Sequence, residues 1–374
     1  IPFGVDTASI MSGNNLDGPA VSVTYFTAWI LLFYFAYTLF EIPHYAWGSE
    51  LASSSVDKSK IYSFRGVAAY LGLILFYSIP LMPFFESKEI TPATLKISVI
   101  AANFLLVCFL YFTMRVTPSR LSRRSPKEIP EPSDEVVIQR RGLFQSIAGN
   151  TPLILFFSAF LFSGIANGLW YGLIFLYVDS FLNMGEQFSL IFLLGFLISV
   201  VLTPLYYKLS MMFGKRGIVA IGMLLITCSY LYLGLLVPGE TSVPQLFLLI
   251  VSNAVGFGCL IAFTPAMLSE IIDFSTWKYR SQNTAMYFSL YSFIGKANTA
   301  LGAALGLAII GWAGYDATAT TQTTEAIASL MLSMVWLPGT FTAIALVLIA
   351  LNPINTRRHH IVRRRMDELP PRTS

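Results

Sequence analysis

Residues 40–51 read FEIPHYAWGSEL and close a run, VTYFTAWILLFYFAYTL at 23–39, that is otherwise fit for lipid. Glu41 stands beside Pro43 and His44, a turn or two before that run reaches water. An Asp, Lys or Arg at a membrane helix centre costs about 2.5–3.5 kcal/mol on insertion scales, and a Glu is comparable. The carboxylate is therefore either a defect compensated by neighbours or the reason the segment exists.

The rest of the chain favours lipid too. Of 374 residues, 55% are hydrophobic and 12% charged, and the mean hydropathy is +0.66. Soluble domains carry roughly twice that share of charge, about 25%. Thirty Phe and 18 Tyr supply rings of the kind that gather at membrane interfaces. Cys108, Cys228 and Cys259 lie scattered in apolar runs, which fits packing and neither a disulfide framework nor a metal site. The opening IPFGVDTASIMSGNNLDG lacks the basic start and apolar core of a signal peptide and reads as the tail of a helix followed by a loop.

Apolar stretches near 20 residues span a bilayer as helices, and nine are expected: about 20–47, 63–85, 92–115, 151–178, 186–211, 217–237, 244–272, 283–313 and 325–352. The Pro- and charge-rich RVTPSRLSRRSPKEIPEPSDEVVIQRRG at 115–142 separates three helices from six. Lys and Arg collect in every second loop: Lys58, Lys60 and Arg65; the linker; Lys208, Lys215 and Arg216; Lys278 and Arg280; and the tail RRHHIVRRR, read as a solvated basic end. The opposite loops contribute Lys88, with Lys96 just beyond. That alternation puts the C-terminus inside and the N-terminus outside. Three helices, a linker and six helices suit two six-helix halves around a midplane site, the plan of the major facilitator superfamily, with nine helices present of twelve. The expected divisions are 1–114, the remainder of an N-terminal half; 115–150, a cytoplasmic linker; 151–353, a C-terminal half; and 354–374, a basic cytoplasmic tail.

Few ionisable residues fall inside the spans. Helical spacing puts Tyr34, Tyr37, Thr38, Tyr45 and Gly48 on the side of Glu41, and Ser289, Ser292 and Thr299 on the side of Lys296. Gly295, Gly302 and Gly306 let the Lys296 helix approach its neighbours closely. NGLWYGLIFLY sets Asn167, Trp170 and Tyr171 about a turn apart, rings beside hydrogen-bonding groups that suit the flat face of a sugar. The plainer alternatives are a structural Glu41–Lys296 ion pair, a packing role for the tyrosine stripe and for His44, and gating or capping for Glu270 and Asp273 near water. The chain carries no nucleotide-binding glycine loop, no zinc spacing and no catalytic triad, so no enzyme activity and no catalytic residue is expected.

AYTLFEIPHYAWGSEL with SFRGVAAYLG, and TPAMLSEIIDFSTWKYR with YSFIGKANTALGAALG and GWAGY, resemble the glycoside–pentoside–hexuronide:cation symporters, the branch of the major facilitator superfamily that includes melibiose permease. On this resemblance the nine helices match the family's fourth to twelfth, and IPFG a remnant of the third. It implies that Glu41 serves both sugar recognition and the cation site, with Thr38 coordinating a cation such as sodium. It implies that Tyr45 stacks on sugar, that Arg65 lies at the cytoplasmic side of the cavity, and that Ser292 and Lys296 face substrate. Asn167 and Trp170 join these as substrate contacts, and Glu270, Asp273 and Lys278 as gating residues. Glu41 departs from the more familiar Asp. The residues after Lys278 (Tyr279, Arg280, Ser281, Gln282, Asn283, Thr284) depart from the relatives' pattern at the gating loop, and the family's first two helices, with their cation-binding aspartates, have no match in this chain.

The expected function is symport of a glycoside, oligosaccharide or related sugar coupled to Na⁺ or H⁺, by a monomer in a bacterial inner membrane, with no other cofactor and no nucleic-acid partner. A carrier for a lysolipid or drug, and a non-transporting membrane scaffold, are the rivals.

Overall fold

A computed structural model describes residues 23–52, 54–79, 82, 92–116, 149–279, 284–316 and 322–367. Most of the expected linker, at 117–148, the loop at 280–283 and the tail end at 368–374 lie outside the described residues.

Among the described residues the chain is all-helical, as lipid demands, since a helix satisfies its own backbone donors and acceptors. The helices are α1 (Val23–Leu51), α2 (Ser55–Ser78), α3 (Pro92–Val116), α4 (Thr151–Leu176), α5 (Gly185–Val201), α6 (Thr203–Leu233), α7 (Val243–Tyr279), α8 (Thr284–Trp312), α9 (Thr324–Met331), α10 (Leu337–Leu351) and α11 (Thr356–Asp367). Wider π-helical turns follow α4 at Tyr177–Phe181 and join α9 to α10 at Leu332–Trp336.

Six helical runs among the described residues are long and apolar enough to cross a membrane: Thr94–Val116, Thr151–Phe181, Thr203–Leu233, Val243–Lys278, Thr284–Trp312 and Thr324–Leu351. Helix α1, which carries Glu41, Pro43 and His44, and α2, which carries Asp57, Lys58, Lys60 and Arg65, are not among these runs. The apolar part of α5, Leu190–Val201, is short taken alone. Gly214, at φ 73° and ψ 170°, breaks the run Thr203–Leu233. This left-handed region is open to glycine without a side-chain clash. The turn expected between the fifth and sixth spans is thus reduced to about one residue.

The chain divides into two compact units. One takes Ile1–Tyr37, Leu75–Gln139 and Pro370–Ser374. Its helix α3 presents Val99, Ile100, Phe104, Val107 and Phe112 outward. The polar Asn103 and Thr113 donate back to the carbonyls of Val99 and Phe109 at 2.8 and 2.7 Å, so the helix leaves these groups satisfied in hydrocarbon. Tyr34 and Tyr37 also lie in this unit and are about half exposed.

The other unit takes Thr38–Ile74 and Arg140–Leu369. In it α4 packs on α8 and α10, and α7 on α5 and α6. The α4–α8 crossing is close because glycines face each other: a Cβ on Gly168 would stand 2.7 Å from the carbonyl oxygens of Asn298 and Thr299, and one on Gly302 would stand 2.4 Å from that of Ile165. Between membrane helices such contact replaces the hydrophobic drive that water supplies to soluble proteins. The end of α1 and most of α2 join α7 through Ser49 Oγ, 2.5 Å from Ser269 Oγ, and Tyr70 OH, which donates to Ala254 O at 3.4 Å.

Candidate functional site

Helical register brings Thr38, Glu41 and Tyr45 to one side of α1, where Arg65 of α2 and Ser292 and Lys296 of α8 meet them. Lys296 Nζ donates to Thr38 Oγ1 at 2.6 Å and lies 3.2 Å from Glu41 Oε2. Ser292 Oγ donates to the same carboxylate oxygen at 2.6 Å. Arg65 Nη2 stands 4.0 Å from Glu41 Oε1, while Nη1 of the same guanidinium donates to His44 Nδ1. Among the described residues, two cations thus gather on one carboxylate. The side chains of Glu41, Lys296 and Arg65 keep 12%, 23% and 25% of their accessible surface, so the ions are neither sealed in dry packing nor fully in water.

Aromatic rings hold this cluster. The Arg65 guanidinium lies 3.5 Å from the centre of the Tyr45 ring, a cation–π contact that covers one face. Tyr45 also stacks on Phe288 and meets Tyr291 edge-on, each at 5.6 Å between centroids. Tyr291 carries the site onward: it stacks on Phe160 at 4.4 Å and lines a cavity of about 130 Å³ with Ser163, Asn167 and Thr264 among apolar side chains. Asn167 Oδ1 is buried there without a hydrogen-bond partner, an acceptor left for a ligand or water. Trp170 is not brought to this place. It is buried against Tyr230, 5.6 Å between ring centroids, and borders a separate small crevice with Tyr70 and Asn253.

A second charged cluster forms at the far end of α7. Lys215 Nζ donates to Glu270 Oε1 at 2.5 Å, and Lys58 Nζ donates to Asp273 Oδ2 at 2.7 Å and to Ser269 O at 3.2 Å. His359 Nε2 lies 2.8 Å from Asp273 Oδ2, and its Nδ1 3.6 Å from Glu270 Oε1. The expectation that RRHH is a solvated end is corrected here. His359 is 1% exposed because α11 turns back onto α7, while His360 stays exposed. Lys58 and Lys215, counted as loop cations in the sequence, are likewise buried. The signal available for the tail was its spacing: His359 and Val362, three apart in a basic segment, are the buried pair. Lys278 lies outside this cluster; it is exposed and donates to Gly149 O at 3.4 Å.

An acid and two bases with polar neighbours, set beside a part-polar cavity, can exchange partners with an incoming cation or an anionic or hydroxyl-rich solute. Among the described residues no group of three or more His, Cys, Asp or Glu is gathered as for a tightly held metal. Comparison with known proteins points the same way. A family model described as MFS/sugar transport protein matches residues 13–356. The glucuronide carrier protein homolog of Escherichia coli (strain K12) is 23% identical over 329 residues, 86% of this chain and 68% of that protein. The uncharacterized symporter YjmB of Bacillus subtilis (strain 168) is 24% identical over 347 residues, 88% of this chain and 70% of that protein. The sodium-dependent lysophosphatidylcholine symporter 1-A of Danio rerio is 25% identical over 230 residues, 60% of this chain and 43% of its own length. The chain belongs to the MFS/sugar transport family, as a member of the glycoside–pentoside–hexuronide:cation symporter branch of the major facilitator superfamily.

Proposed function

We propose that the protein couples movement of a sugar or glycoside to that of Na⁺ or H⁺ through the Thr38–Glu41–Lys296 cluster. The observation that carries this reading is the position of the Lys296 ammonium, which bonds the two oxygens, Thr38 Oγ1 and Glu41 Oε2, that a small cation would use. A cation entering there displaces the ammonium and neutralises Glu41, and the freed lysine turns to the solute. Each ligand then binds better with the other present, which is the thermodynamic requirement for coupling.

Arg65 sharpens the solute class. A sugar reaching the Tyr45 ring takes the face that the guanidinium now covers, and a solute with its own carboxylate gives that guanidinium a new partner. A hexuronide uses both groups, whereas a neutral sugar uses one. Asn167 Oδ1 offers an acceptor to a solute hydroxyl, and the inner cluster of Glu270 and Asp273 acts as a gate that opens when its ion pairs part. On the same reading, nine helices cross a bacterial inner membrane with the C-terminus inside, and 1–114 and 151–353 belong to two halves. Proteoliposomes holding the whole protein should take up labelled glucuronide when an inward sodium or proton gradient is imposed. Loss of uptake when the gradient is collapsed supports the reading; uptake indifferent to any gradient refutes it.

A second reading, transport of a lysolipid, is favoured by the apolar part of the 130 Å³ cavity, where Phe156, Phe160, Met223, Leu260 and Ile349 offer a surface to an acyl chain. The similarity to lysophosphatidylcholine symporters is consistent with it. Labelled substrates decide: an imposed gradient drives uptake of lysophosphatidylcholine and not of glucuronide under this reading, and the reverse under the first.

A further inference from the structure

A third cavity, about 290 Å³ and larger than the two others described, opens where α4 begins, α7 ends and α11 turns back. Its wall has two chemistries. Lys278 and Arg358 bring positive charge, and Phe274, Ile354, Ile361 and Val362 bring apolar surface. Lys278 donates to Gly149 O at 3.4 Å, and Arg358 Nη1 donates to Pro353 O at 3.0 Å. Both side chains are exposed, and an anion between them gains charge-assisted bonds.

The run Val243–Lys278 has 36 residues, about 54 Å of helix against a hydrocarbon core of about 30 Å, and the run of α4 begins at Thr151, which lines the same cavity. With the span expected at 244–272, the Lys278 end of α7 extends to the level of the headgroups. Two further features belong to that level: Trp277, whose ring lies 5.6 Å from the Arg365 guanidinium, and the basic helix α11, with Arg357, Arg364 and Arg365 exposed. A small inorganic anion uses the two cations and wastes the apolar wall; an uncharged amphiphile does the reverse. An anionic phospholipid uses both, its phosphate between Lys278 and Arg358 and its first methylenes against Phe274, Ile354 and Ile361.

We infer that this cavity is a binding site for the headgroup of an anionic phospholipid, separate from the solute site and independent of what the carrier moves. Bound there, the lipid ties α11 to the ends of α4 and α7. The test is native mass spectrometry of the whole protein in neutral detergent, incubated with dioctanoyl phosphatidylglycerol, dioctanoyl phosphatidylcholine or inorganic phosphate. Phosphatidylglycerol should be retained about tenfold more tightly than phosphatidylcholine, because each basic residue near an anionic headgroup contributes attraction that a zwitterion lacks. Lys278→Gln with Arg358→Gln should bring it down to the phosphatidylcholine level, and Arg358→Lys should keep most of the preference. Arg357→Gln, at an exposed neighbour that does not line the cavity, should lower retention far less than Arg358→Gln does. Equal retention of the two lipids, full retention by the double variant, or displacement of the lipid by equimolar phosphate would each overturn the assignment. Should the double variant fold poorly, Arg358→Gln alone against Arg357→Gln separates the same outcomes.

Discussion

The ammonium of Lys296 stands 3.2 Å from Glu41 Oε2, and it shares that oxygen with the hydroxyl of Ser292. The carboxylate is thus held by a charge and a neutral donor at once. If the ammonium competes with a coupling cation, then Lys296→Gln should tighten sodium binding. A competition worth about 1.4 kcal/mol corresponds to about a tenfold change. Isothermal titration with sodium measures it. Weaker binding in the variant would mean that Lys296 helps to build the ion site and does not occupy it.

Arg65 touches three groups, Glu41, His44 and Tyr45. The proposed role in recognising an acidic sugar predicts that Arg65→Gln weakens binding of a glucuronide by about tenfold or more, the range expected when a charged hydrogen bond worth roughly 1.5–3 kcal/mol is lost. Binding of the matching neutral glucoside should fall far less. Competition against a labelled ligand gives both values, and equal losses would remove Arg65 from specificity.

The inner cluster should respond to single and paired changes differently. Lys215 and Glu270 are 2% and 3% exposed, so removing one partner strands a buried charge, at a cost of about 3–5 kcal/mol. Lys215→Met alone and Glu270→Gln alone should each lower the thermal unfolding midpoint in detergent. The double variant should lose much less than the sum of the two. Additive losses would show that the ion pair is not a unit. His359→Leu removes a neighbour of both Asp273 and Glu270 and should also lower the midpoint, whereas His360→Leu, on an exposed residue, should not.

At the α4–α8 crossing, Gly302→Ala inserts a methyl 2.4 Å from Ile165 O, where backbone must move. Overpacking of this kind costs about 1–3 kcal/mol. Gly311→Ala, in the same helix with nothing within 4 Å of the added methyl, should cost nothing measurable by the same melting assay. Equal effects would mean that the crossing is looser than these distances imply.

Much of the site was legible because helical period is a local property. Glu41 with Thr38 and Tyr45, and Lys296 with Ser292, were placed on their faces by spacing alone, and the glycines of α8 foretold its close contact with α4. What spacing could not supply was the destination of charges near helix ends. Lys58, Lys215 and His359 read as loop cations, yet tertiary placement buries them: the one-residue turn at Gly214 sets Lys215 beside α7, and α11 folds back to bring in His359. Trp170 shows the converse error of resolution. Three residues along a helix leave a net offset of about 60° around the axis and a rise of about 4.5 Å, enough to take it from the cavity that Asn167 borders to packing against Tyr230. Likewise Tyr34 and Tyr37, written into the Glu41 stripe, are about half exposed.

The central claim is that Glu41 is the group through which cation and solute feel each other. Uptake of labelled sodium into proteoliposomes, with and without glucuronide, tests it in the whole protein carrying Glu41→Gln. The account predicts that solute no longer stimulates sodium entry, while Glu41→Asp retains part of the stimulation. Undiminished stimulation in Glu41→Gln, in a protein that still folds and binds solute, would contradict it.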